Sequence, residues 1–189
     1  MLSMLTEEPD AYLAQLQAAK LNDDVEVAHY AATAVAQISK ESDLKLQQLE
    51  RAFKTDPSSQ NLIEYCDFLG EYLGSGLAEG RVAQIQRQQY ARLLARRCER
   101  EDTLELRIRY ATALADVGQI DEAQAVTDQL VLDVPEEQEV WMLCLRLAVM
   151  RRDGDEVHRV IDAIDKQHVY LSADNREKLA FWRDGEEAR

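Results

Sequence analysis

Three histidines, His29, His158 and His168, are the residues of this sequence best suited to acid–base chemistry near neutral pH. None of them stands at a fixed spacing from a serine, a cysteine or a carboxylate that would complete a nucleophile or a proton relay. His29 lies beside an apolar stripe, so we expect it to be a packed or hydrogen-bonded helix residue, and the other two are expected at the surface. We therefore predict no catalytic residue.

Metal and cofactor sites are also not indicated by residue spacing. Cys66, Cys98 and Cys144 are odd in number and far apart, and no CxxC or HExxH spacing occurs. We interpret them as buried, reduced thiols of a cytosolic protein. The glycines between residues 70 and 80 lack the GK[ST] and GxGxxG patterns of phosphate-binding loops. We expect turns and close helix crossings there, with no metal and no cofactor.

The charge balance argues against nucleic acid as a partner. The formal net charge is −14 at pH 7, whereas binding to phosphates requires a basic face. Most of the carboxylates that could be considered for a functional site stand at turns and helix starts. Examples are Asp23, Asp24, Asp153 and Asp155. There they cap free N–H groups and oppose the helix dipole. We predict a structural role for these carboxylates.

One segment of this acidic chain is rich in arginine. Residues 81–100 contain six arginines and a single carboxylate, Glu99. On a helix, Arg81, Arg92 and Arg96 fall within about 60° of each other. The stripe could pair with acidic neighbours in adjacent repeats, or it could dock an acidic surface of a partner protein.

The elements that position these residues are helices. Leu, Ala, Glu, Gln and Arg dominate the composition, glycine and proline are few, and no run of alternating β-branched residues occurs. We predict an all-α protein. No run of about 18 apolar residues is present, and the first ten residues lack the features of a secretory signal.

A period of about 34 residues, the length of a tetratricopeptide repeat, appears between Leu104 and Val169. It carries Leu104 onto Gln138 and Ala123 onto Val157, and Pro135 closes the first unit. In tetratricopeptide repeats, pairs of antiparallel helices stack into an α-solenoid. Such solenoids usually bind a partner along their concave surface.

The rest of the chain is predicted to extend this solenoid. An N-terminal hairpin of the HEAT type has its turn and helix cap at Asn22-Asp23-Asp24. Residues 24–55 either form one long helix, which we favour, or break near Ser39 to Ser42. We divide this single continuous solenoid domain into residues 1–59 (hairpin and first repeat helix), 60–103 (a lengthened repeat), 104–171 (two regular repeats) and 172–189 (a capping helix with a frayed tail).

Caps and apolar faces are also predicted for individual helices. Thr6 is expected to cap a first helix that begins at Glu7, and Ser172 to cap the last helix. Two further helices are predicted from Gln60 to Gly74 and from Arg81 to Arg100. The side chains expected to face inward include Tyr12, Val27, Tyr30, Val82, Ile85 and Phe181.

The repeat phase also predicts a groove. The first helix of each pair lines the concave surface in this architecture, and Ile108 and Thr112 occupy the positions of the Lys/Asn clamp of chaperone-binding repeats. A clamp for a C-terminal carboxylate is therefore not expected. Met142 and Met150 are adaptable apolar contacts or pack on the next helix, and Arg146 between them can bind a carboxylate. The candidate partner-binding residues are Ile108, Thr112, Met142, Arg146, Met150, Arg81, Arg92 and Arg96; neighbouring groove positions are Glu105, Ala115, Asp116, Glu139 and Val149.

Residues 20–183 as a whole resemble a known family. The similarity is carried by NDDVEVAHYAATAVAQI, DLKLQQLERAFKTDP and LIEYCDFLGEYLGSGLAEGRVAQIQRQQYARLL, followed by the two regular repeats and the closing LAFW. These segments resemble the cytosolic tetratricopeptide domain of the PelE family of exopolysaccharide secretion subunits. The helix with HYAATA, followed by SGLAEG and a Gln/Arg-rich helix, is the distinctive part, since the repeats alone are generic.

The resemblance implies a non-catalytic scaffold at the cytoplasmic face of a bacterial inner membrane. Its implied partners are a cytosolic glycosyltransferase, a cyclic-di-GMP receptor subunit and a membrane transporter subunit of a polysaccharide synthase. Members of the family carry transmembrane helices before this domain, which implies an excised domain here. Self-association is left open. The alternative functions are an unrelated cytosolic adaptor or regulator with the same fold and, in another class, a small-molecule sensor or an enzyme, which would need a closed polar pocket.

Overall fold

The computed structural model describes residues 9–184, and these residues form an all-α fold without strands. Their nine helices are α1 (Pro9–Ala19), α2 (Val25–Thr55), α3 (Ser59–Gly74), α4 (Gly80–Cys98), α5 (Leu104–Asp116), α6 (Ile120–Asp133), α7 (Gln138–Arg151), α8 (Gly154–Lys166) and α9 (Ala173–Asp184). The predicted all-α class is confirmed. The predicted cap at Thr6 and the helix start at Glu7 lie outside the described residues. Fraying was predicted from Asp184 to Arg189; Asp184 is the last residue of α9, and the rest of that tail lies outside the described residues.

The contacts divide the chain into two compact units, and the boundary falls inside α4. The first unit extends to Gln86 and the second begins at Arg87. Within residues 9–184, each helix is too short or too polar to cross a lipid bilayer.

The longest element, α2, is one helix of 31 residues. Its N-cap is Asp24, whose carboxylate accepts hydrogen bonds from the backbone N–H groups of Glu26 and Val27. The helix continues through Ser39 to Ser42 and ends at Thr55. The favoured prediction of a single helix is therefore confirmed, and α2 packs against both α1 and α3.

The core of the first unit lies between α2 and α3. Phe53 and Tyr65 are both buried, with ring centroids 6.2 Å apart. The Tyr72 hydroxyl donates a 2.8 Å hydrogen bond to the Asp43 carboxylate. Burial, together with this bond and the charge of Asp43, raises the pKa of Tyr72 to about 12. The phenol therefore stays protonated, and continues to donate this bond, well above neutral pH.

Several apolar residues that were expected to face inward are exposed. Tyr12, Val27 and Tyr30 were placed on the buried faces of the first hairpin, but 73% of Tyr30 is accessible and the other two are also exposed. In the first half of α2 it is Ala31 that is buried, because a small side chain lets a neighbouring helix approach closely. Val82 and Ile85 of α4 were predicted inward as well, and both are more than half exposed, whereas the adjacent Ala83 is buried.

The second unit is built from helices that pack in sequence. Helix α5 packs on α6, α6 on α7 and α7 on α8, and α5 also contacts α7 directly. One core cluster joins Ala111, Leu114 and Ala123 to Leu143 and Leu147. A second cluster is centred on Trp141, Val160, Ile164 and Leu179. The small residues Ala111 and Ala123 of the first cluster are both fully buried between the packed helices.

The turns inside the two hairpins of this unit have the same backbone geometry. Gly118 (φ 79°) lies in the turn after α5 and Arg152 (φ 58°) in the turn after α7, and both adopt the left-handed conformation. In each turn the next residue donates its N–H back into the helix, Gln119 to the Leu114 carbonyl and Asp153 to the Ala148 carbonyl. The two turns are separated by one repeat period, the same spacing that relates Leu104 to Gln138 in the sequence.

Helix α9 covers the end of the second core cluster. The Ser172 hydroxyl accepts a hydrogen bond from the Asn175 backbone N–H, as expected for its predicted cap. Leu179 is buried and Trp182 packs against the cluster. Phe181, which was predicted to pack there too, is 71% exposed because it follows Leu179 by only two positions on the helix and points to another side.

Candidate interaction surfaces

The first candidate surface consists of Ile108, Thr112, Met142, Arg146 and Met150, which we call the α5–α7 face. Ile108 and Thr112 stand four residues apart on α5, so they share one side of that helix. The other three stand at the same spacing on α7. Because α5 contacts α7, the structure places these two stripes on neighbouring helices.

Access to the α5–α7 face differs from residue to residue. Arg146 and Met150 are exposed, with 42% of Met150 accessible. Ile108, Thr112 and Met142 are half-buried, and Met142 packs partly on the second core cluster. Ala115, which was predicted as a groove residue, is buried in the first cluster beside Leu114 and cannot contact a partner. A bound protein would therefore contact mainly the end of α7.

The charge of Arg146 is already compensated. Its guanidinium pairs with the carboxylate of Asp116, which lies on α5. A partner carboxylate would have to displace or share this interaction, so the predicted binding of a carboxylate by Arg146 would compete with Asp116. The pair joins the two stripes of the face and, as an exposed pair, contributes at most about 1 kcal/mol to stability.

The predicted arginine stripe is distributed over both compact units. Arg81 belongs to the first unit, Arg92 and Arg96 belong to the second, and all three side chains are exposed. Their neighbour Arg97 is buried instead and pairs with Glu101 across one helical turn. Arg92 is the member of the stripe that lines a crevice.

This crevice, of about 330 Å³, lies where α4, α5 and α6 meet. Arg92 and Glu122 both line it, together with Tyr110. Burial raises the pKa of Tyr110, and the negative charge of Glu122 adds to the effect. The further lining residues are Gln88, Ala91, Ala95, Leu114, Val117 and Gln119.

A second crevice, of about 310 Å³, lies where α6, α7 and α8 meet. Its lining includes Trp141 and Cys144 from α7 and Leu132 from α6. Burial, followed by the charges of Asp128 and Glu156, raises the pKa of Cys144 to about 12. This thiol is therefore protonated near neutral pH, and its thiolate, the nucleophilic form, is nearly absent.

Some residues that line the two crevices recur at the same sequence spacing. Tyr110 and Cys144 are separated by one repeat period, and so are Glu122 and Glu156. Sequence reasoning singled out Arg92 but missed both crevices, because the lining of each crevice comes together only when three helices pack. Extending the period to the second helices would have placed Glu122 and Glu156 at matching positions.

The groups that could do chemistry do not converge on one site. His29, which was expected to be packed, and His168 are exposed, while His158 is half-buried on α8. Throughout residues 9–184, no cluster of three or more His, Cys, Asp or Glu side chains could hold a metal ion.

No protein-family model, curated protein or solved structure matches this chain.

Proposed function

We propose that this chain is a non-catalytic protein–protein interaction scaffold, an α-solenoid of tetratricopeptide-type hairpins. In this proposal α1 and α2 form the HEAT-like N-terminal hairpin, α3 and α4 a lengthened repeat, and α9 a capping helix. The two pairs α5–α6 and α7–α8 are the regular repeats. Hairpins of this kind bury their apolar faces only against each other, so their remaining surfaces are available to a partner.

The observation that carries the proposal is the recurrence of structure at the repeat period. The start of α5 at Leu104 and the start of α7 at Gln138 are one period apart, and the same spacing separates the starts of α6 and α8, at Ile120 and Gly154. The left-handed turn residues Gly118 and Arg152 keep this spacing too. Tetratricopeptide repeats share this period and this helix–turn–helix order.

The α5–α7 face is the partner-binding surface in this proposal. Its support is the direct packing of α5 on α7, which places the two first helices of the repeats side by side. Exposed Met150 supplies an adaptable apolar contact, and the Arg146–Asp116 pair can reorganise around a charged partner. A groove of this kind would ordinarily give micromolar affinity, about −8 kcal/mol.

The proposed partner is a subunit of a bacterial exopolysaccharide synthase, with a cytosolic glycosyltransferase first and a cyclic-di-GMP receptor second. The support for this part is the resemblance of residues 20–183 to the PelE family. In this proposal the scaffold acts at the cytoplasmic face of an inner membrane, where it would hold the synthase subunits together.

The test is to titrate the purified chain with purified Pel glycosyltransferase, and separately with the Pel cyclic-di-GMP receptor, and to measure binding by calorimetry. We expect at least one of them to bind with micromolar affinity. Met150→Glu, which places a charge on an exposed apolar contact, should weaken binding about tenfold or more. The matched control is Arg176→Glu on exposed α9, which should leave binding unchanged.

Two results would contradict different parts of the proposal. If neither subunit binds, the assignment to polysaccharide export is wrong. If a subunit binds and Met150→Glu has the same affinity as the parent chain, the scaffold function stands but the α5–α7 face is not the surface used.

A further inference from the structure

The crevice where α6, α7 and α8 meet is the more apolar of the two crevices described above. We call it the outer crevice and define it by Val131, Leu132, Trp141, Cys144, Val160 and Ala163. Leu132 is 73% exposed on its rim, and the buried ring of Trp141 lines it. Its volume of about 310 Å³ is at the lower limit for small-molecule sites and suits an inserted side chain better than a whole ligand.

The helices that bound the outer crevice are strongly acidic. Together α6 and α8 carry eight carboxylates and only two basic residues, Arg159 and Lys166. Within the described residues, four of these carboxylates form ion pairs: Asp121, Asp133, Glu156 and Asp165. The other four have no cationic partner in that part of the chain: Glu122, Asp128, Asp155 and Asp162.

The polar rim of the crevice carries an uncompensated negative charge. Glu156 pairs with Arg159 at 2.6 Å, so these two rim residues neutralise each other. Asp128 accepts a hydrogen bond from the Gln124 side chain, which is neutral and brings no positive charge to the rim. An apolar slot with a negative rim, on a chain of net charge −14, favours an apolar side chain flanked by cations.

We propose that the outer crevice docks a basic amphipathic helix from a partner protein. One large apolar side chain of that helix enters between Leu132 and Trp141, and a lysine or arginine one turn away lies against Asp128. The cations of the partner oppose uncompensated carboxylates, so binding weakens as salt increases. This docking site goes beyond the proposed scaffold function, since it lies between α6, α7 and α8, is not the α5–α7 face and needs no polysaccharide subunit.

Other occupants fit the outer crevice less well. An acidic peptide would meet Asp128 and the other uncompensated carboxylates, and an anionic membrane surface would meet the same repulsion. A second copy of this chain also carries a net charge of −14, which opposes self-association.

The experiment uses a synthetic amphipathic helix of leucine and lysine, five turns long, with its leucines at i, i+3, i+4 and i+7. Trp182→Phe in the full chain leaves Trp141 as the only tryptophan, so its emission reports on the crevice itself. We expect saturable binding with a change in Trp141 emission. A scrambled peptide of the same charge, which lacks an apolar face, should bind at least tenfold more weakly.

Two variants connect this binding to the outer crevice. Leu132→Lys adds a cation at the apolar rim and Asp128→Lys reverses the rim charge, and each should weaken binding tenfold or more. Leu44→Lys, the same substitution at an exposed leucine of α2, is the matched control and should leave binding unchanged. Because Leu132, Leu44 and Asp128 are all exposed, these variants are expected to fold normally.

Three outcomes would overturn the inference. Equal binding of the scrambled peptide would mean that only charge is recognised, and unchanged affinity of Leu132→Lys or Asp128→Lys would place the peptide elsewhere. In sedimentation of the chain without peptide, an apparent mass that rises with concentration would show self-association. If Leu132→Lys abolished that rise, a second copy of the chain would be the occupant of the crevice. None of these outcomes depends on the polysaccharide subunits, so this inference and the proposed function can fail separately.

Discussion

Replacing Leu130 by alanine is expected to lower the free energy of unfolding of the second unit by about 2–5 kcal/mol. The side chain of Leu130 is 0% exposed in the middle of the α6 packing, so the substitution removes buried methyl groups and leaves a cavity. A loss of this size is a large part of the stability of an ordinary domain. Urea denaturation followed by far-ultraviolet circular dichroism would measure it.

The matched control is Leu132→Ala, two residues further along the same helix. Leu132 is 73% exposed, so its truncation should change the free energy of unfolding by less than about 0.5 kcal/mol. Equal losses for the two variants would contradict the orientation of α6 and, with it, the placement of Leu132 at the outer crevice.

The second large effect is expected from Lys40→Pro, which should destabilise the first unit by about 3 kcal/mol or more. Lys40 is exposed in the interior of α2. Proline there removes the N–H that bonds to the carbonyl of residue 36 and forces its ring against that carbonyl. The loss of helical circular dichroism and the shift of the urea midpoint would report the effect.

The control for this variant is Ser59→Pro, because Ser59 is the first residue of α3, where a proline is tolerated. It should change the stability by much less than Lys40→Pro. If the chain instead broke near Ser39 to Ser42, a proline at residue 40 would be nearly neutral, and the single helix α2 would be wrong.

Helices and their caps could be predicted from the sequence because their signals are local. The favoured single helix before Thr55, the cap at Asp24 and the cap at Ser172 depend on residues within one or two turns. The predicted helices Gln60 to Gly74 and Arg81 to Arg100 agree with α3 and α4 to within two residues. The all-α class could be predicted as well, because the sequence contains no alternating pattern typical of strands.

The buried face of each helix was harder to predict because several helices carry apolar residues on more than one side. In α4, Val82 and Ile85 looked like core residues, yet the adjacent Ala83 and the pair Leu93 and Leu94 are the buried ones. Which side is covered depends on the neighbouring helix, and a single helical pattern does not contain that information. The same reason accounts for exposed Tyr30 and Phe181.

The details of the candidate surfaces depend on contacts between residues that are distant in sequence. Arg146 is neutralised by Asp116, 30 residues earlier, and no local pattern signals that pair. The outer crevice requires α6, α7 and α8 to be packed before its lining residues come together. The repeat period was visible in the sequence. It predicted which residues belong to the α5–α7 face but not which of them are exposed or paired.

The most direct test of the central claim, that the α5–α7 face holds a protein partner, is hydrogen exchange of this chain with and without the Pel glycosyltransferase. We predict that binding slows amide exchange in residues 142–150 and 108–116. Exchange in α1 should stay unchanged. Slowed exchange confined to other helices, or none at all with saturating glycosyltransferase, would contradict the account.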